Sequence, residues 1–182
     1  MRAASLFAFS SLLLLTTGCP TDGGPGPLFT NGEDVPEREP DTTWDANLED
    51  GEIIDLDWAS SGGFGCWPGT EDVNFTGTHV FENEALSADV GDFFVRVNPA
   101  DPTIDVSLYA IKTGVDTTQF PPDLPSAVAC DSTFDRENNG NPGVSEATVV
   151  QGGSNPYRIV VAVAGANDTT SGGYEVEVWY GE

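Results

Sequence analysis

Histidine, lysine and methionine each occur once in these 182 residues, as His79, Lys112 and Met1, and cysteine occurs three times. With a single histidine, any Ser-His-Asp or Cys-His arrangement has to run through His79. Neither G-x-S-x-G nor H-E-x-x-H occurs, so two common hydrolase signatures are missing. His79 stands in THVF, which reads as the start of a strand with the imidazole on its surface. Positive charge is equally scarce: 6 Lys and Arg against 30 Asp and Glu, a net charge of −24. A surface of that sign repels nucleic acid and suits cations or basic partners, and its plainest consequence is solubility. With so many acids, carboxylate pairs of the glycosidase type carry no information.

Long apolar runs are also lacking. The N-terminal stretch Leu6–Leu15 covers ten residues, about half of what a membrane-spanning helix needs. It follows one cation, Arg2, and precedes the small residues Thr16, Thr17 and Gly18, the layout of a secretory signal. The ending LTTGC resembles the lipobox of bacterial lipoproteins, with Thr16 where leucine is usual. That resemblance implies a signal peptide over residues 1–18, cleavage before Cys19, and lipidation of Cys19. Two or three acyl chains anchor a protein stably to a membrane. Pro20, rather than the inner-membrane retention residue aspartate, follows the cysteine, which implies an outer-membrane lipoprotein, facing the periplasm or the cell surface. Cleavage removes only Arg2 from the charged residues, leaving 5 basic and 30 acidic.

With Cys19 lipidated, Cys66 and Cys130 remain, and in an exported protein two leftover cysteines most simply form a disulfide. Closing a loop of about 65 residues stabilises a fold by roughly 4 kcal/mol on loop-closure entropy. Two buried free thiols are the alternative. A zinc site made of both cysteines and His79 lacks a clear fourth ligand.

Residues 19–50 are dominated by glycine, proline and acids without apolar periodicity, which predicts a flexible tether. From residue 51 to 182 the pattern changes to that of one domain. Ile54, Leu56 and Trp58 alternate with Asp55 and Asp57; Phe93, Val95 and Val97 alternate with Phe94 and Arg96. Ile104, Val106, Leu108 and Ala110 form a third such set. Tyr157, Ile159, Val161 and Val163 share one face of a strand whose other face, Val160 and Ala162, is also apolar, so it should be central and covered on both sides. Tyr174, Val176, Val178 and Tyr180 oppose Glu175, Glu177 and Trp179, a half-solvated strand. Period two, with SGGFG, NNGNPG, QGGSNP and NDTTSGG as turns, predicts an all-β sandwich or barrel.

Three stretches carry a further likeness. EREPDTTWDANLEDGEII, TIDVSLYAIKTG and YRIVVAVAGANDTTSGGYEVEV resemble the opening, a Leu-Tyr strand and the closing hairpin of bacterial pre-peptidase C-terminal domains, over residues 37–182. The resemblance implies a jelly-roll-like antiparallel β-sandwich of about eight strands that is not itself catalytic. Some such domains bind calcium or extracellular polymers. It also implies a calcium site at Glu37, Glu39 and Asp41, which match the E-x-E-P-N motif with aspartate in place of asparagine.

A second calcium candidate comes from spacing alone. DRENNGNPGVSE places Asp135, Glu137 and Asn139 at positions 1, 3 and 5, glycine at 6 and Glu146 at 12. Solvated acidic loops are the plain alternative for both. Trp44, Trp67 and Trp179 could offer stacking faces to a polysaccharide or protein, although core packing is the commoner use. The function expected is that of a membrane-anchored, non-enzymatic binding or accessory module of the extracytoplasmic space, possible partners being an envelope or extracellular polymer or protein and not nucleic acid. A secreted hydrolase of unrecognised class is the alternative.

Overall fold

The computed structural model describes residues 39–61, 73–86, 91–124, 129–133 and 142–181. They form eight strands: β1 Thr42–Asn47, β2 His79–Leu86, β3 Phe93–Pro99, β4 Val106–Thr113, β5 Ala129–Thr133, β6 Glu146–Val150, β7 Tyr157–Gly165 and β8 Gly173–Tyr180. A 3-10 turn, Leu48–Asp50, and a five-residue helix α1, Asp57–Ser61, complete the regular structure. Among the described residues no helix is long and apolar enough to cross a membrane.

The strands make two four-stranded antiparallel sheets, one ordered β1-β8-β3-β6 and the other β2-β7-β4-β5. Only β4 and β5 pair with their immediate neighbour in sequence within one sheet; every other connection passes to the facing sheet. That interleaving is the double Greek key of a jelly roll. The all-β expectation and the count of about eight strands hold. The expected closing hairpin does not: β7 and β8 lie in opposite sheets, so the turn between them is an arch over the end of the sandwich.

The alternating positions meet between the sheets. Phe93, Val95 and Val97 of β3 and Tyr174, Val176 and Val178 of β8 face Val106, Leu108 and Ala110 of β4 and Tyr157, Ile159, Val161 and Val163 of β7, all buried. A second apolar layer lies on the outer side of the other sheet. There Tyr109 and Ile111 of β4 and Val160, Ala162 and Ala164 of β7 are covered by Trp58, Ala59, Phe75 and Leu124. Both faces of β7 are therefore buried, as its sequence predicts. The same holds for β4, whose second face, Ser107 and Tyr109, is 3% and 0% exposed, with Asp105 just before the strand at 6%.

Two expectations are corrected here. The tether predicted through residue 50 contributes a strand, because β1 pairs along its length with β8 and turns Trp44 and Ala46 toward the core. The alternating set Ile54, Leu56 and Trp58 is not a strand. Asp55 Oδ1 accepts from Asp57 N at 2.9 Å, an Asx-type bond that starts α1 instead, and Trp58 then lies over the outer face of β4 and β7.

Candidate functional site

His79 opens β2, as read, but it is not a surface residue: it is 1% exposed. Its Nε2 lies 2.8 Å from the carbonyl oxygen of Phe75 and its Nδ1 2.8 Å from the hydroxyl of Tyr109. A carbonyl only accepts, so Nε2 carries the proton and Nδ1 accepts from the Tyr109 hydroxyl. Burial holds the imidazole down to about 4, against a smaller upward effect of the Phe75 carbonyl. Tyr109 is fully buried and its hydroxyl is pushed well up by desolvation. Phe75 stands edge-on to Tyr109 at 5.8 Å, and His79 at 5.7 Å. The one imidazole is thus a neutral tie between β2, β4 and the 73–75 turn, with both nitrogens engaged.

Next to it, at the edge of the sheet, an open groove of about 450 Å³ runs between the 3-10 turn and β2. Asp50, Gly51, Glu52, His79, Val80, Phe81 and Phe120 line it. Phe81 and Phe120 are half-buried and tilted against each other, 5.6 Å between centroids. Glu52 and His79 exchange both backbone hydrogen bonds, at 2.8 and 3.2 Å, as an isolated bridge. That approach needs Gly51: a Cβ there would fall 2.3 Å from the His79 carbonyl oxygen. Asp50 and Glu82 add their fields at the Tyr174 hydroxyl, raised first by burial and then by these carboxylates. The groove itself is lined by two carboxylates, Asp50 and Glu52, and by the rings of Phe81 and Phe120.

The outer face of the β1-β8-β3-β6 sheet carries a second polar arrangement. Arg96 Nε donates to Glu177 Oε2 at 2.6 Å, and Asn98 Nδ2 donates to the same oxygen at 2.7 Å. Ser145 Oγ donates to Asn98 Oδ1 at 2.7 Å. The Arg96 guanidinium lies 5.2 Å over the Trp179 ring, and Trp179 is 1% exposed. Trp179 is thus buried under an arginine rather than offered as a stacking platform. Trp44 packs on the core, and Trp67 lies outside the described residues.

Of the first calcium candidate, Glu39 is exposed and Glu37 lies outside the described residues. Asp41 is already at work in the sheet: its Oδ2 accepts from Tyr180 N at 2.8 Å and its N donates to Val178 O at 2.8 Å, which pins the chain to the end of β8. Of the second, Asp135, Glu137 and Asn139 lie outside the described residues, and Glu146 is buried, 4% exposed, as the first residue of β6. Among the described residues no three His, Cys, Asp or Glu side chains gather as metal ligands. Cys19 and Cys66 lie outside the described residues, and Cys130 stands opposite Ile111 in edge strand β5.

Strand order and site together define a jelly-roll β-sandwich with a buried structural histidine and an edge groove lined by acidic and aromatic residues. No protein-family model matches the chain, and no curated protein matches it. Among solved structures it is similar to a cleaved adhesin domain of Lys-gingipain from Porphyromonas gingivalis, at 15% identity and a TM-score of 0.30, covering 76% of this chain and 97% of that one. At that TM-score the strand order of the chain itself carries the fold.

The edge groove is what sequence reading missed. Phe81 and Phe120 are 39 positions apart in the chain, so no local pattern joins them. The signal available was THVFENE, where an apolar pair runs directly into acids.

Proposed function

We propose that the chain is an outer-membrane lipoprotein, lipidated on Cys19, whose β-sandwich is a non-catalytic binding module of the pre-peptidase C-terminal type. The observation that carries the non-catalytic reading is the state of His79. The residue on which a nucleophilic triad would depend is buried, neutral, and committed at both nitrogens to Phe75 and Tyr109. The family reading is supported by where the quoted stretches fall: on β1, on β4 and on the β7–β8 arch, which together touch both sheets. A binding role is supported by the edge groove, which is lined by two half-buried aromatic rings and two carboxylates.

The anchoring is tested by fractionation. Wild-type chain is expected in the membrane fraction, and Cys19→Ala as unprocessed or soluble protein; equal membrane association of the two removes the lipoprotein reading. Binding is tested by screening the processed, detergent-solubilised chain against glycans, matrix proteins and envelope material. A Cys66–Cys130 disulfide belongs to the same proposal. Alkylation of the unreduced protein is expected to leave both thiols protected, and labelling of either one overturns it.

A further inference from the structure

β2 is an edge strand, and its outer side is only partly paired. His79 turns both its backbone groups outward to Glu52. Direction alternates along a strand, so the following outward positions are Phe81 and Asn83, and among the described residues the outward N–H and C=O of Phe81 meet no partner. A one-residue bridge therefore stops where a further strand could continue, beside the Phe81–Phe120 ring pair. Ile53, next to the bridge in the chain, is 66% exposed.

Charge decides what could continue it. The three basic side chains among the described residues are all engaged: Arg96 with Glu177, Lys112 with the Gln151 carbonyl and the Tyr157 ring, and Arg158 with the Thr117 carbonyl. The groove, by contrast, is lined by exposed Asp50 and Glu52. A second copy of this chain would set one acidic groove against another, each on a strongly anionic molecule, which opposes edge-to-edge self-pairing. A cationic strand has the opposite sign and the same backbone geometry.

We propose that the β2 edge docks an extended peptide segment rich in lysine or arginine, which adds as a strand beside β2, rests an apolar side chain on Phe81 and Phe120, and sets its cations against Asp50 and Glu52. This rests on the reading of the chain as a binding module and names its partner class.

The test uses the processed, detergent-solubilised chain and a labelled peptide of alternating lysine and valine with a central tyrosine. Three comparisons read the mode. N-methylating the peptide amides that face β2 is expected to weaken binding about tenfold, because it removes strand hydrogen bonds and leaves charge unchanged. The Asp50→Asn/Glu52→Gln double variant should bind several-fold more weakly and with a shallower salt dependence. Phe120→Ala should weaken binding with the peptide's salt dependence intact. Melting temperatures near that of wild type confirm that each variant is folded. Equal binding of the methylated peptide, or indifference to the variants, shows a merely electrostatic association and overturns the edge site. Absence of peptide binding overturns it too. A glycan or other ligand that binds without displacement by the peptide overturns the edge site while keeping the binding module; no binding to anything in the wider screen sinks both.

Discussion

His79 is the residue where a sequence motif and its physical role diverge most. The pattern THVF placed it correctly at a strand start, yet nothing in four residues indicates that Tyr109, thirty positions on, closes over its ring. Its burial gives a pH signature. The folded value is depressed to about 4 from an ordinary 6.5. Below 6.5 the unfolded chain takes up a proton that the folded chain refuses, so the contribution of His79 to stability is whole above 6.5. It is lost progressively as pH falls toward 4, by up to about 3 kcal/mol. With no other histidine, His79→Gln isolates the effect. The difference in urea-unfolding free energy between wild type and variant should shrink from pH 7 to pH 4.5, and the imidazole proton resonances of the wild type should stay unshifted down to about pH 5. An imidazole titrating near 6.5 contradicts the burial. Glu177 works with the same sign from a carboxylate. Arg96, then Asn98, hold it below its ordinary value despite some desolvation. Its contribution is present above that ordinary value and lost as pH falls through the lowered one. Arg96→Met should cost about 1 kcal/mol at pH 7, typical of a surface pair with good geometry, and nothing at a pH where Glu177 is protonated in both states. Equal cost at both pH values would assign the loss to the uncovered Trp179 ring instead.

At the scale of elements, β3, β7 and β8 were legible because each is long enough to show period two with large apolar residues on the core face. For β7 the apolar second face announced a central strand as well. β4 was half legible: its core face showed, while Ser107 on the other face and Asp105 just before the strand disguised a burial that depends on the layer above the sheet. β1 was not legible at all. It is an edge strand of six residues in a segment rich in acids and proline, and its outward Thr43 and Asp45 look like more tether. Pairing with β8, not local pattern, makes it a strand. The arch from β7 to β8 shows the same dependence on distant neighbours. Gly165 ends β7 where the chain folds back so closely that a Cβ would lie 1.8 Å from the Thr169 carbonyl oxygen, and that oxygen accepts from Thr78 N at 3.2 Å. Backbone cannot yield there without unmaking the bond to the 73–78 turn. Gly165→Ala should therefore destabilise the domain by about 1–3 kcal/mol or more, as overpacking does, and lower the melting temperature by roughly 5–10 °C. A variant that melts with wild type would mean that the arch is looser than its hydrogen bonds indicate.

For the molecule as a whole, charge was legible from composition and its placement was not. Thirty acids predicted an anionic surface; which of them would be structural could not be read, because the Asp41 role requires Tyr180, 139 positions away. This separates Asp41 from Glu39 within the E-x-E-P-D segment and sharpens the calcium expectation. Self-repulsion in so acidic a domain is relieved by a bound divalent ion. A site formed only in the folded state adds RT ln(1 + [L]/Kd), about 2.7 kcal/mol at a hundredfold excess over Kd, or several degrees in melting temperature for a domain of this size. Magnesium should add less, since it gives up its water reluctantly and demands stricter geometry, and sodium chloride at matched ionic strength measures plain screening. Glu39 is exposed and outside the sheet, so Glu39→Gln should leave the calcium-free melting temperature unchanged and abolish the calcium increment. Asp41→Ala should lower stability with or without calcium, because Tyr180 N loses its acceptor, and should lose the increment as well. An increment that survives Glu39→Gln and falls with Glu146→Gln would move the site to the second loop. A calcium effect no larger than that of sodium chloride would leave both segments as acidic surface, with Asp41 kept for its hydrogen bond alone.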